Sequence, residues 1–428
     1  MEIIKFGEIL ELQLSNKLVG SEKKHTVLQI NVTANSGSTG RIVEEIGRLV
    51  LQKDWNNIIA YGRKEIQSSS KTIRIGNKIS LYQHVLLTRI FDKHGLGSVK
   101  STKKFLTQIE DLNPDIIHLH NIHGYYLNYK LLFDFLSNSG IPVVWTLHDC
   151  WPITGHCAYF DFVNCSKWET GCFNCPQKKV YPASWLCDRS EKNYRQKKES
   201  FTLPENITLV SVSNWLSNII NKSFLADKHH VLIRNGINLD HFTNRESGFR
   251  NKYQIQDKTI ILGVASVWDQ RKGLNDFIRL SNKLDKKSII VLVGLSKFQM
   301  MKLPPNIIAI KRTENITGLA EIYSVADVFF NPTWEDNYPT TNLEAIACGT
   351  PVITYNTGGS IESVSDSTGY IIEKGNLNEC LNALKDIREK GRSYFMTTCR
   401  EYARNHFNQE VIFKQYIELY KKILGQGQ

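Results

Sequence analysis

The chain has no long apolar run. Its longest stretches, such as "IIVLVGL" at 289–295, fall far short of the ~20 residues that span a bilayer. The opening "MEIIKFGEILELQLSNK" sets glutamates among its apolar residues and has no small-residue cleavage site, so it does not read as a secretory leader. A cytoplasmic address is the expectation. Acids are scarce relative to bases: 42 Asp and Glu against 53 Lys and Arg give a formal net charge of +11. That balance favours anionic partners such as nucleic acid, phosphorylated small molecules or an anionic membrane surface. No recognised nucleic-acid motif accompanies it, which argues against the first. Low-complexity tracts and short-period repeats are also lacking.

What remains is ordinary for a globular protein. Apolar residues make up 41% and charged residues 22%, so sizeable cores are available, and 428 residues suit two or three domains. Short apolar strands alternate with helical patterns. "TVLQINV" (26–32), "NNIIAYG" (56–62), "DIIHLHN" (115–121), "PVVWTLHD" (142–149) and "ITLVSVS" (207–213) read as strands. The alternation restarts after residue 243 with "TIILGVASVW" (259–268), "KSIIVLVGL" (287–295), "NIIAIKR" (306–312), "DVFFNPT" (327–333) and "PVITYNTGG" (351–359). Alternation of this kind means βαβ units and parallel sheets, hence two α/β domains in tandem. The expected division is an extension at 1–24, a first domain at 25–242 with a Cys-rich insertion at 150–190, a second domain at 243–407, and a final amphipathic helix within 408–428. Ligands of such sheets bind at the carboxyl ends of the strands.

Several motifs stand at those ends. "NSGSTGR" places Gly37 and Gly40 after the first strand, where a helix start suits phosphate and a plain turn fits equally well. His148 and Asp149 end "VVWTLHD", and His120 and His123 end the strand before; they read as hydroxyl-binding groups or as packed core residues. Arg271 and Lys272 precede Gly273 at a strand-to-helix junction, a placement that suits a diphosphate or a solvated loop. In "NPTWEDNYPTTNLEAIACGTPV", Pro339 keeps Glu335 and Asp336 in a loop and starts a helix. Thr341 and Glu344 fit a capping box, whereas the functional reading has Glu344 and a loop acid grip ligand hydroxyls. Gly358 and Gly359 form a further turn that lets backbone amides approach a ligand.

Two features stand apart. Cys157, Cys165, Cys172 and Cys175 have the spacing C-x7-C-x6-C-x2-C, which reads either as a structural zinc site or as four reduced cysteines in a loop. Four thiolates would leave no open position for catalysis. The segment 177–200 sets Lys178, Lys179, Arg189, Lys192, Arg195, Lys197 and Lys198 against three acids, with Tyr181, Trp185 and Tyr194 between them. It reads as a solvated helix face or as a contact with the inner membrane face and a lipid-phosphate acceptor.

In combination, "GSTGR", "TLHD", "RNGIN", "RKG", "EDNYPTTNLEAIACGTPVI" and "TGG" resemble the retaining glycosyltransferases of family 4, closest to the colanic-acid, capsule and O-antigen type. The resemblance runs from about residue 26 to 425 and implies the GT-B fold: two Rossmann-like domains facing across a cleft, with the last helix crossing back to the first. It implies a nucleotide-sugar donor, a saccharide acceptor carried on a lipid, and no catalytic metal. By the family pattern, the catalytic set is His148, Asp336 and Glu344, and Gly37, Gly40, Arg271, Lys272, Gly358 and Gly359 join the two acids in donor binding. His120, His123 and Asp149 fall on the acceptor side. Counting back eight positions from Glu344 selects Asp336 and makes Glu335 a bystander, and Ser266 stands where the family has an arginine. Another GT-B enzyme, such as a nucleotide-sugar epimerase, and an inactive sugar-nucleotide-binding partner are the competing readings.

Overall fold

Runs such as Ile260, Ile261 and Leu262 are apolar on both sides of the strand and fully buried. That pattern requires a parallel sheet covered by helices on both faces. The computed structural model describes residues 24–426 and has two such sheets. The first contains β1 (Thr26–Ala34), β2 (Asn56–Glu65), β3 (Lys71–Arg74), β4 (Ile116–Leu119), β5 (Val143–Leu147), β6 (Ile207–Ser211) and β7 (His229–Leu232), in the order β3-β2-β1-β4-β5-β6-β7. The second contains β8 (Thr259–Val264), β9 (Ser288–Val293), β10 (Ile307–Ile310), β11 (Val328–Asn331), β12 (Val352–Tyr355) and β13 (Gly369–Ile372), in the order β10-β9-β8-β11-β12-β13. All pairings are parallel. In each sheet the strand order reverses beside the first strand, between β1 and β4 and between β8 and β11. The strand-end motifs gather around these switch points.

The last helix, Gln409–Ile423, leaves the second sheet and packs on the first. Phe413, Tyr416, Ile417 and Tyr420 share a core with Val27, Ile42, Ile46 and Val144. The crossing is thus held by an apolar stripe at helical spacing. The sequence pattern did not reveal β13, the helix Lys78–Phe91 or the helix Val99–Leu112. The expected extension at 1–24 lies outside the described residues apart from Lys24. Among the described residues, no helix is long and apolar enough to cross a membrane.

Two expectations need correction. The helix Thr340–Ala347 has Pro339 at its N-cap and no side-chain cap. Glu344 therefore does not close a capping box; its carboxylate points to Arg41 and Tyr323. Nor is the 177–200 segment one exposed cationic face. Lys197 and Tyr194 of the helix Ser190–Thr202 are buried. Lys197 Nζ donates to the carbonyls of Trp151 (2.6 Å) and Thr154 (2.9 Å) and sits 3.6 Å from the centre of the Trp151 ring. Burial pushes its ammonium down to about 7.

Candidate active site

The loop after β11 is built by short polar ties. Thr333 Oγ1 donates to the Glu335 carbonyl (3.1 Å), and Thr357 Oγ1 to the Trp334 carbonyl (2.8 Å). The Gly359 amide donates to the Asp336 carbonyl (3.0 Å). A Cβ on Gly358 would fall 2.1 Å from the Asp336 carbonyl oxygen, and one on Gly359 would fall 1.8 Å from that of Asn337. Only glycine allows this approach, so the turn and the acid-bearing loop are held as one unit.

Arg271 and Lys272 reach the same unit from a 3-10 turn, Gln270–Lys272, capped by Asp269. Lys272 Nζ bonds Asp336 Oδ2, and Arg271 Nη1 stands 3.9 Å from that oxygen. Arg271 Nη1 also donates to the Glu335 carbonyl (2.6 Å). Burial alone would raise Asp336; Lys272 and Arg271 outweigh it and hold the carboxyl below its usual range. Burial lowers Lys272, with Asp336 opposing. The pair of cations thus shares the part-buried Asp336 carboxylate, and Asp269 stands 4.0 Å from Arg271 Nε on the outer side.

Glu335 points the other way. It is fully buried and accepts the amides of Phe160 (3.1 Å) and Phe162 (2.8 Å) from the Cys-rich insertion. Around it, Arg271 lies 3.7 Å from the centre of the Tyr159 ring, Phe162 packs against Trp334, and Lys374 pairs with Asp161 at 3.2 Å. Burial pushes Glu335 up to about 7 against the pull of the two amides. The residue read as a bystander is the anchor between the insertion and the second sheet.

Glu344 is buried, with Arg41 Nη2 at 3.4 Å and the Tyr323 hydroxyl donating at 3.0 Å. Burial raises its pKa, and both partners oppose the rise. Arg41 belongs to the helix Gly37–Gln52, which opens on the glycine turn. Gly37 has φ +74°, and a Cβ on Gly40 would meet Thr33 Oγ1 at 2.7 Å.

The histidines form a second group at the ends of β4 and β5. His148 Nε2 lies 3.2 Å from His120 Nδ1, with the rings stacked, and His120 Nε2 lies 3.1 Å from Gln29 Oε1. Burial lowers both, His148 to about 4, so they are neutral at pH 7. His123 Nε2 meets Asp149 Oδ2 at 2.9 Å, and its Nδ1 meets the Tyr181 hydroxyl at 2.9 Å. His118 faces the crossing helix instead. Tyr159 links the groups: burial and the charges of Asp149, Asp336 and Glu335 raise its hydroxyl, while Arg271 opposes them. Sequence reasoning missed Arg41, Tyr159, Tyr181 and Tyr323. Arg41 stands inside the "GSTGR" motif, but nothing in the motif shows its reach.

Cys157, Cys165, Cys172 and Cys175 line one small pocket together with His156 and Trp168. All are free thiols, and the Cys157 thiol is hydrogen-bonded to Cys175. As placed, they do not fit an ion: among the described residues no group of three or more Cys, His, Asp or Glu is arranged to hold one.

Family models match both halves of the chain: "Glycosyltransferase Family 4" over residues 63–241 and "Glycosyl transferases group 1" over 258–390. The chain belongs to glycosyltransferase family 4. This glycosyltransferase is 22% identical over 424 residues to the putative colanic acid biosynthesis glycosyl transferase WcaC of Escherichia coli strain K12, covering 93% of this chain and 100% of that one. Among solved structures, sucrose-phosphate synthase of Thermosynechococcus elongatus superposes with a TM-score of 0.70 at 18% identity over 94% of this chain and 100% of that one. Anabaena Alr3699/HepE in complex with UDP gives 0.63 at 14% over 93% and 100%. At these identities the structures show the fold, which is GT-B.

Proposed function

We propose that this glycosyltransferase moves a sugar, with retention, from a nucleoside-diphosphate donor to a lipid-linked saccharide in surface polysaccharide synthesis. The observation that carries this is the part-buried Lys272–Asp336–Arg271 group beside the Gly358–Gly359 turn. Once Asp336 turns away from Lys272, both cations face the position a diphosphate would take. The UDP complex of the Anabaena neighbour and the name of the E. coli relative support the donor class and the pathway class.

In this reading Lys272 and Arg271 stabilise the leaving diphosphate, Asp336 turns from Lys272 toward the sugar, and Glu344 takes the ribose hydroxyls. The bond from the anomeric carbon to phosphate oxygen breaks, and a bond to the acceptor oxygen forms on the same face. The acceptor proton passes to the departing phosphate. The sequence offers no clear nucleophile on the opposite face, which favours this front-face course over a double displacement. A carboxylate near the sugar offsets oxocarbenium charge. His148 and the His123–Asp149 pair line the acceptor side. Arg271 supplies the second cation in place of an arginine at Ser266, which favours an active enzyme over an inactive partner.

A thermal-shift screen of UDP-, GDP- and dTDP-sugars tests the donor class, because a ligand that binds only the folded state raises Tm. Product analysis with the stabilising donor tests transfer. No shift with any of them, or release of a 2-epimer, defeats the proposal. A structural zinc on the four cysteines would require the sulfurs to rearrange. The metal content of the purified protein tests it, and no chemical step is routed through an ion.

A further inference from the structure

The helix Lys78–Phe91 is built inside out. Its buried residues are polar: His84 Nε2 accepts the amides of Gly95 (3.0 Å) and Gly97 (3.2 Å), and Thr88 Oγ1 donates to the His84 carbonyl (2.9 Å). Its exposed residues include four large apolar ones, Ile79, Tyr82, Leu86 and Phe91, beside Lys78 and Gln83. Ile79 and Tyr82 are each 68% exposed, and Leu86 follows on the same face at helical spacing. The face continues onto the Cys-rich insertion, where the Trp185 amide donates to the Arg89 carbonyl at 2.7 Å. Trp185 is 65% exposed and Leu186 70%. Contiguous exposed apolar side chains of this size mark an interaction surface.

The charge around the face is of one sign. Between Glu65 and Glu110 there are eight Lys and Arg residues and one acid, Asp92, which is buried. At the foot of the helix, Arg74, Asn77, Lys100, Ser101 and Lys104 line a pocket of about 310 Å3 that no carboxylate enters. Three cations and two neutral donors in one concavity match a phosphate headgroup. A second copy of the chain would present the same cations and would be repelled, whereas an anionic bilayer satisfies both the apolar side chains and the charge.

We propose that this face, from Ile79, Tyr82 and Leu86 to Trp185 and Leu186, lies in an anionic membrane interface, with the Arg74–Lys100–Lys104 pocket taking a lipid phosphate. It rests on the lipid-linked acceptor reading and gives that reading a geometry. Tyr181, on the same insertion, bonds His123 on the acceptor side, so the docked face sets that side against the bilayer. The region differs from the 177–200 segment that the sequence suggested: of that segment only Trp185 and Leu186 take part, and Lys197 does not.

The test is co-sedimentation of the full chain with phosphatidylcholine vesicles with and without phosphatidylglycerol. Binding should require the anionic lipid and weaken as salt rises. Leu86→Ser with Trp185→Ser should raise the lipid concentration for half-binding at least about tenfold. Lys100→Ala with Lys104→Ala should abolish the preference for the anionic vesicles. All four positions are outside the donor site, so each variant should keep the wild-type nucleotide thermal shift, which also reports folding. Equal binding by the variants, no binding by wild type, or a dimer that Leu86→Ser dissociates overturns the proposal. Vesicle binding without any nucleotide shift in wild type defeats the transfer reading and leaves the membrane face standing.

Discussion

Arg41 Nη2 lies 3.4 Å from Glu344 Oε1, so the helix after β1 touches the helix after β11 across the two sheets. The Tyr323 hydroxyl holds the other carboxylate oxygen at 3.0 Å. A carboxylate held this way is ready to accept a pair of ribose hydroxyls. Glu344→Gln should therefore weaken donor binding by roughly ten- to a hundredfold, the worth of a hydrogen bond to a charged group. The loss should appear mainly in KM. A thermal-shift titration with the stabilising nucleotide-sugar checks it. An unchanged apparent Kd would remove Glu344 from the donor site.

Lys272 bonds Asp336, and both are part-buried beside the glycine turn. Removing a cation that meets developing charge on the leaving group costs about 10²- to 10³-fold in kcat. Lys272→Met should lose that much in the folded fraction; it leaves Asp336 with Arg271 alone at 3.9 Å, so stability falls as well. Asp336→Asn should also fall steeply, whereas Glu335→Gln should retain sugar transfer in the part of the population that stays folded. Steady-state rates normalised to folded protein separate the two acids. Loss confined to the Glu335 variant would mean that the reacting acid is the neighbour.

These two adjacent acids show where sequence reading stops. β8 and β12 were legible because strands buried on both sides are mostly apolar. The strand-end motifs were legible because glycines and a proline fix backbone shape. In a loop, however, successive side chains have no fixed alternation. Only the packed structure shows Asp336 turned toward Lys272 and Glu335 toward Phe160 and Phe162. The helix Lys78–Phe91 escaped because its two buried residues are His84 and Thr88 while Ile79, Tyr82, Leu86 and Phe91 are exposed, which blurs the usual pattern. Lys197 looked like part of a cationic surface because charge gives no sign of burial.

Glu335 gives a pH dependence with a definite sign. Burial raises it from an ordinary 4.5 to about 7 in the folded chain. A carboxyl with a raised folded pKa stabilises fully below its unfolded value, and that contribution is lost as pH rises through the folded one. Docking of the Cys-rich insertion should thus weaken between about pH 4.5 and pH 7. Glu335→Gln removes this slope and leaves one of the Phe160 and Phe162 amides facing an NH2 group, at a cost of about 1–3 kcal/mol. Urea unfolding of both proteins at several pH values checks the difference. Parallel stability profiles across that window would exclude Glu335 as the titrating group.

The crossing helix depends on a buried relay. Thr146 Oγ1 donates to the Tyr416 hydroxyl (3.2 Å), so it accepts from His118 Nε2 at 2.8 Å. Burial holds His118 neutral, which leaves Nδ1 as the acceptor for the Tyr420 hydroxyl at 2.6 Å. Tyr420→Phe keeps the ring packed and strands Nδ1 without a donor. The expected cost is about 1–3 kcal/mol. Because the helix ties the second sheet's chain end to the first, the loss should appear as faster amide exchange over 409–423 before any other part of the first sheet opens. Hydrogen-exchange mass spectrometry reads this directly. Unchanged protection of that segment would show that apolar packing alone holds the helix.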